Sequence, residues 1–173
     1  MLRHTLIDSP LGAIRLVADD AASGADSLIG LYFDASYDGA GAQHGPRVSC
    51  EVDEFLARVA GQLADYFAGV RRAFDIPIDL RGNDFQVRVW EQIAAIEFGH
   101  TRTYGEVARD LGGVGLAQAV GRAAGQNPVG IVVGCHRVVG ADGKLVGYAG
   151  GLKRKRYLLD LEEPREVKES RLF

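Results

Sequence analysis

Apolar and polar residues alternate through the first third of the chain. Residues 2–7 (LRHTLI) and 13–18 (AIRLVA) flank the turn-rich stretch Asp8-Ser9-Pro10-Leu11-Gly12, a pattern that predicts a β-hairpin, and residues 27–33 (SLIGLYF) predict a third strand. The alternation lapses over 34–45 (DASYDGAGAQHG), a surface loop containing Tyr37. It resumes with another period. Val52, Phe55, Leu56, Val59, Leu63 and Phe67 recur at helical spacing and stop near Gly69, so an amphipathic helix is expected to pack on the sheet. Residues 74–80 (FDIPIDL) predict one more strand, which Pro77 confines to an edge because proline has no N–H to give to a central ladder.

Arg81-Gly82-Asn83 marks a domain boundary, dividing the chain into 1–80 and 83–163, with 164–173 (PREVKESRLF) as a charged tail. Asp84 is placed to cap a helix carrying Phe85, Val89, Trp90, Ile93 and Ile96 on one side, in which Trp90 reads as core. Thr103-Tyr104-Gly105-Glu106 forms a capping box that opens a second helix, running to about Leu111. A glycine-rich turn, Gly112-Gly113-Val114-Gly115, leads into a third helix from Leu116 to about Gln126, and helix, tight turn, helix is the pattern of a helix-turn-helix. This third helix is nearly without bulk: Ala117, Ala119, Gly121, Ala123, Ala124 and Gly125 leave it bare, although each internal glycine costs about 1 kcal/mol relative to alanine. Two readings stay open, tight packing against a neighbouring helix or close approach to a nucleic-acid backbone or groove, with Arg122 then facing phosphates.

Composition changes this picture little. With 173 residues, 47% apolar and 25% charged, the chain has globular values. No window approaches 18 consecutive apolar residues, and the first ten (MLRHTLIDSP) are broken by charge and proline, so neither a membrane span nor a signal peptide is expected and a cytoplasmic location follows. The net charge of −3 argues against a nucleic-acid partner only until it is divided. Residues 1–82 hold 7 Lys/Arg against 12 Asp/Glu, a net −5, and residues 83–173 hold 13 against 11, a net +2. Two cysteines, Cys50 and Cys135, make no disulfide framework or CxxC knuckle, and the four histidines form no metal motif, so no metal is expected. Cys50, after Ser49, reads as a structural or surface thiol.

The chemistry concentrates where Val129–Val133 (VGIVV) delivers Gly134-Cys135-His136-Arg137. A thiol in apolar surroundings is inert unless a base or a positive field stabilises its thiolate. His136 is a candidate base, acting through a bridging water because sequence neighbours rarely hydrogen-bond side chain to side chain, and Glu162 is a candidate to orient the imidazole. The alternative is a buried small hydrophobe beside a surface histidine. The basic run Lys153-Arg154-Lys155-Arg156 reads equally as a phosphate contact or a solvated helix face.

The segment NPVGIVVGCHRVVGADGKLVGYAGGLKRKRYLLDLE, with FQVRVWEQIAAIEFGHTRTYGEVA upstream, resembles the active-site region of the O6-alkylguanine-DNA alkyltransferases, also called methylated-DNA protein-cysteine methyltransferases. The match runs over roughly 83–163. It implies an N-terminal ribonuclease-H-like α/β domain and a C-terminal helical, helix-turn-helix (winged-helix-like) domain, and a single-turnover transferase that repairs duplex DNA as a monomer without a cofactor. Carried over by position, the resemblance implies that Cys135 accepts the alkyl group, His136 is the water-bridged base, Glu162 the carboxylate behind it, and Asn127 the brace of the turn. It further implies that Tyr104 crowds the target phosphate, that Tyr148 lines the guanine pocket, that the Ala149 N–H donates to O6, and that the Val138 carbonyl faces the exocyclic amine. Two positions depart from the family pattern: Gly134 replaces the proline before the cysteine, and Gln118 replaces the arginine finger of the recognition helix. Slower repair or weaker duplex binding than in a typical member is the expectation. A non-catalytic damage sensor or DNA-binding regulator, transfer from a small molecule or free base, and a cysteine hydrolase are the competing readings. The last lacks a second histidine in a plausible motif.

Overall fold

The hairpin forms where its alternation and turn residues place it. In a computed structural model that describes residues 1–20, 23–33 and 44–164, strand β1 (Arg3–Ile7) pairs antiparallel with β2 (Ile14–Asp20), and β3 (Asp26–Phe33) pairs antiparallel with the other edge of β2. Ser9 organises the turn, its hydroxyl accepting from the Leu11 N–H (3.1 Å) and donating to the Gly12 carbonyl (2.7 Å). Gly12 adopts φ 99°, a conformation that a side chain would resist. As the central strand, β2 buries Ile14, Leu16, Val17 and Ala18. Helix α1 (Glu54–Phe67) starts at the cap Asp53, whose carboxylate accepts from the Leu56 N–H (2.9 Å). That start leaves Val52 outside the helix and exposed, and the buried stripe is Leu56, Val59, Leu63 and Tyr66.

The expected strand over 74–80 is not a strand. It touches β3 through one parallel bridge, Leu28 with Ile78, in which Leu28 N–H donates to the Pro77 carbonyl (2.9 Å) and Asp79 N–H to the Leu28 carbonyl (3.1 Å). Pro77 supplies an acceptor and no donor, so a longer ladder cannot continue through it. Pro128–Gly130 meet Leu31 in the same way, through Leu31 N–H to the Pro128 carbonyl (2.8 Å). These three residues group with Met1–Arg81 in one compact unit and not with the rest of the expected 83–163 domain. The predicted loop at 34–45 lies almost wholly outside the described residues, as does the tail beyond residue 164.

The second unit begins at Gly82. Helix α2 (Asp84–Ala94) is capped by Asn83 and not by Asp84: the Asn83 amide oxygen accepts from Gln86 N–H (2.8 Å), and Gln86 reaches back to the Asn83 N–H (2.9 Å). Asp84 sits in the first turn, where its charge suits the positive end of the helix dipole. Two-residue strands β4 (Arg102–Thr103) and β5 (Val138–Val139) pair in parallel. Thr103 caps α3 (Tyr104–Leu111), accepting from Glu106 N–H (3.1 Å), while the Glu106 carboxylate meets the Thr103 hydroxyl (3.2 Å), closing the predicted box through side chains. A 3₁₀ turn, Val114–Leu116, leads into α4 (Ala117–Gly125), and α5 (Leu152–Glu162) closes the unit. Trp90 is core, 2% exposed, with its indole N–H donating to the Ala123 carbonyl of α4 (2.8 Å). Among the described residues no helix is long and apolar enough to cross a membrane.

Candidate active site

The chain leaves α4 through Asn127 and then turns tightly. Ile131 is fully buried with φ 66°, an unfavourable conformation for a β-branched residue, so the approach to Cys135 is locally strained. The Asn127 side-chain amide braces it, donating to the Val133 carbonyl (2.9 Å). Cys135–Arg137 then form a 3₁₀ turn whose three side chains are all buried. Cys135 lines a cavity of about 360 Å³, together with Tyr104, Gln118, Gly121, Val146 and Tyr148 among others. The bareness of α4 has no internal packing reason at two of its glycines. A Cβ on Gly121 would meet the Tyr104 ring at an ordinary 3.8 Å, and one on Gly125 would meet nothing within 4 Å among the described residues.

Behind the thiol lies a buried polar cluster. The His136 imidazole is inaccessible, and its Nε2 lies 2.6 Å from Glu162 Oε2. A carboxylate can only accept, so Nε2 carries the proton and Nδ1 is left as the basic nitrogen. Nδ1 is buried and has no partner among the described residues. The Arg137 guanidinium grips the same carboxylate, Nε to Oε1 at 2.7 Å and Nη2 to Oε2 at 3.0 Å, and donates through Nη1 to the Ile96 carbonyl (2.6 Å). Burial alone would raise the Glu162 carboxyl, but the hydrogen bonds and charges of His136 and Arg137 hold it at about 2. Burial lowers the imidazole of His136, Glu162 opposes that, and the charges of Arg137 and Lys155 lower it further. Burial pushes the Cys135 thiol up to about 12, against the smaller opposing effects of Asn127 and Lys155. The resting sulfur is therefore a thiol, and reaction requires a base at the moment of attack.

Lys155 is a site residue that the sequence pattern does not single out from its basic run. Within a tetrad read as phosphate contact or solvated face, it is completely buried. Its ammonium donates to the carbonyls of Val138 (2.6 Å), Val146 (3.1 Å) and Gly147 (3.1 Å) and lies 3.4 Å from the Tyr104 hydroxyl. Burial lowers this ammonium to about 8. The Tyr104 hydroxyl itself donates to the Val146 carbonyl (2.9 Å), so Lys155 and Tyr104 fasten the same stretch of cavity wall. The signal was present in the helical spacing: Lys155, Leu158 and Glu162 form the buried face of α5, and the apolar residue sits between two charged ones.

Comparison with known proteins agrees with this geometry. The family model described as the 6-O-methylguanine DNA methyltransferase ribonuclease-like domain matches residues 2–80, and the model of the same family's DNA binding domain matches residues 84–164. The chain belongs to the 6-O-methylguanine DNA methyltransferase family. A methylated-DNA–protein-cysteine methyltransferase of Mycobacterium tuberculosis is 42% identical over 174 residues, covering 100% of this chain and 99% of the relative. The solved O6-methylguanine methyltransferase of Mycobacterium tuberculosis superposes with a TM-score of 0.81 at 40% identity, covering 97% of this chain and 98% of that one. A structure of Mycobacterium tuberculosis OGT in complex with DNA superposes with a TM-score of 0.79 at 41% identity, covering 96% and 98%.

For this 6-O-methylguanine DNA methyltransferase family member, the structure brings Cys135, Tyr104, Gln118 and Tyr148 around one cavity and sets His136, Glu162 and Asn127 behind the thiol. The other candidates fall elsewhere. Ala149 is exposed and, like Arg122 on α4, is not part of the cavity lining. The Val138 carbonyl, expected to face a base, is held by Lys155. Gly134 has φ −75°, inside the range of the proline it replaces. Cys50 is a free, half-buried thiol, 3.9 Å from the Thr5 hydroxyl.

Proposed function

We propose that the protein repairs O6-alkylguanine in DNA by transferring the alkyl group irreversibly to Cys135, once per chain, with residues 83–163 as the DNA-binding and alkyl-acceptor domain. The observation that carries this reading is the placement of the thiol. Cys135 opens into a cavity walled by the bare face of α4, and Nδ1, the nitrogen of its neighbour His136 left to accept a proton, is buried with no partner among the described residues. A base stacked inside a duplex cannot present O6 to a buried sulfur, so the nucleotide rotates out at a cost of a few kcal/mol. Phosphate contacts along α4, with Arg122 among them, offset that cost without reading sequence.

In the cavity the Cys135 proton passes through a bridging water to His136 Nδ1, and Glu162 stabilises the imidazolium through Nε2–H. The sulfur attacks the alkyl carbon; the C–S bond forms as the C–O6 bond breaks, and the electron pair of that bond stays on O6. The guanine anion takes a proton from solvent while the His136 imidazolium returns one to it, and the thioether remains on Cys135. Tyr148 lines the base-facing wall, the Ala149 N–H approaches O6, and Tyr104 crowds the flipped nucleotide's phosphate. The Val138 carbonyl can serve the exocyclic amine with its second lone pair while the first stays with Lys155. Gln118, exposed at the cavity mouth, takes the place of the inserting side chain. A cytoplasmic location belongs to the same proposal, because the chemistry needs a reduced Cys135 and both cysteines are free.

Intact mass after mixing with a duplex containing O6-methylguanine tests the reading. A gain of one methyl group, absent in Cys135→Ser, is the expected result. Duplex binding with no gain in mass would overturn transfer in favour of a damage sensor.

A further inference from the structure

His136 and Arg137 share one carboxylate. Glu162, 2% exposed, offers two oxygens, and the guanidinium occupies both while the imidazole takes one of them. Alone in a buried site, a carboxylate would draw a proton onto a histidine touching it, giving an imidazolium with no remaining capacity to accept from a thiol. Among the described residues the charged groups that act on His136 are Glu162 and Lys155 from α5 and Arg137 from its own turn, with the Cys135 thiol adjacent in the chain. Two of these are cations and one is an anion, so the carboxylate's charge is already matched before the imidazole is considered.

We propose that Arg137 is a positioning residue of the alkyl-acceptor site: by holding both oxygens of Glu162 it neutralises the carboxylate, so that Glu162 orients the His136 ring without charging it. The inference rests on the transfer reading above and adds a division of labour to it. Glu162 fixes which nitrogen carries the proton, and Arg137 keeps the other nitrogen free to receive one. The anchor of Arg137 is independent of both, since Nη1 is tied to the Ile96 carbonyl at 2.6 Å. When the Cys135 proton arrives at Nδ1, the imidazolium forms against a carboxylate already fixed in place, with no side chain to reorganise.

The test follows the His136 ring by NMR in the full chain, with no DNA present, alongside the pH dependence of methyl transfer from an O6-methylguanine duplex. In the native protein His136 stays uncharged at pH 6. In Arg137→Met it becomes about nine-tenths charged there, and the ratio of transfer rates at pH 8.5 and pH 6 widens about tenfold, because only about a tenth of the ring is left neutral to accept a proton at pH 6. Arg137→Lys, which restores the cation without the fork, returns the ring to its uncharged state at pH 6. A ring that stays uncharged at pH 6 in Arg137→Met, with transfer reduced equally at all pH values, would overturn the proposal and leave Arg137 a structural side chain. Should Arg137→Met fail to fold, the native titration decides, since an imidazole already charged at pH 7 also overturns it. Failure of the transfer reading shows separately, as no methyl gain in the native protein whatever the state of His136.

Discussion

Replacing Lys155 with methionine removes one buried cation and keeps most of its volume. The ammonium has three protons, and three carbonyls receive them, at Val138, Val146 and Gly147. Their fates differ once the charge is gone. Val146 and Gly147 belong to an exposed stretch, so their carbonyls regain water, and the Tyr104 hydroxyl still donates to Val146. Val138 is fully buried, and its carbonyl loses this donor, at about 1–3 kcal/mol. Relief of the penalty for burying a charge offsets part of that loss. A net destabilisation of about 2 kcal/mol is expected in urea unfolding, small enough for an ordinary domain to remain folded. Activity falls further than stability. The cavity wall from Val146 to Tyr148 is no longer tied to α5, and displacement on the order of 1 Å costs up to about a hundredfold in a positioned reaction. Single-turnover transfer of a labelled methyl group from duplex DNA should therefore slow by about ten- to a hundredfold. Native transfer rates in Lys155→Met, together with the 2 kcal/mol loss, would show that the ammonium stabilises the fold and does not position the cavity wall.

Four further outcomes are expected. The Glu162 carboxyl, held at about 2 against an ordinary 4.5, contributes stability above pH 4.5 that is lost as pH falls toward 2. The stability gap between the native protein and Glu162→Gln should thus narrow by about 2 kcal/mol between pH 6 and pH 3, measured by urea unfolding at each pH. Gly134→Pro suits the local φ and should gain about 0.4–1 kcal/mol through the unfolded chain, but a Cβ there would lie 2.9 Å from Arg137 Cδ; faster transfer together with a higher unfolding midpoint is expected where the Arg137 stem yields. Gln118→Arg should tighten duplex binding by about 1 kcal/mol, roughly fivefold, in a fluorescence titration at fixed salt. Trp90→Phe removes the indole N–H from the Ala123 carbonyl, which keeps the Gln126 N–H (3.1 Å), and should cost about 1 kcal/mol of stability in thermal or urea unfolding.

Features that depend on near neighbours along the chain can be read from the residues alone. The hairpin follows from alternation around Ser9 and Gly12, α1 and α2 from apolar spacing, and α3 from Thr103 three residues before Glu106. Where two neighbouring residues competed for a role, local pattern was insufficient: Asn83 caps α2 because it alone has the extended backbone outside the first turn, and Asp84 is already helical. The thiol, its histidine and Glu162 were legible through a long ordered match of motif and spacing. The state of the charges, by contrast, is set by the folded arrangement. Whether Lys155 is a solvated arm or a buried clamp, and whether Arg137 meets water or Glu162, depends on segments 8 to 25 residues away being folded against them. Charge is written in the sequence, but its effect on a proton depends on burial and on the partners in contact, and those exist only once α5 and the turn at Cys135 are brought together.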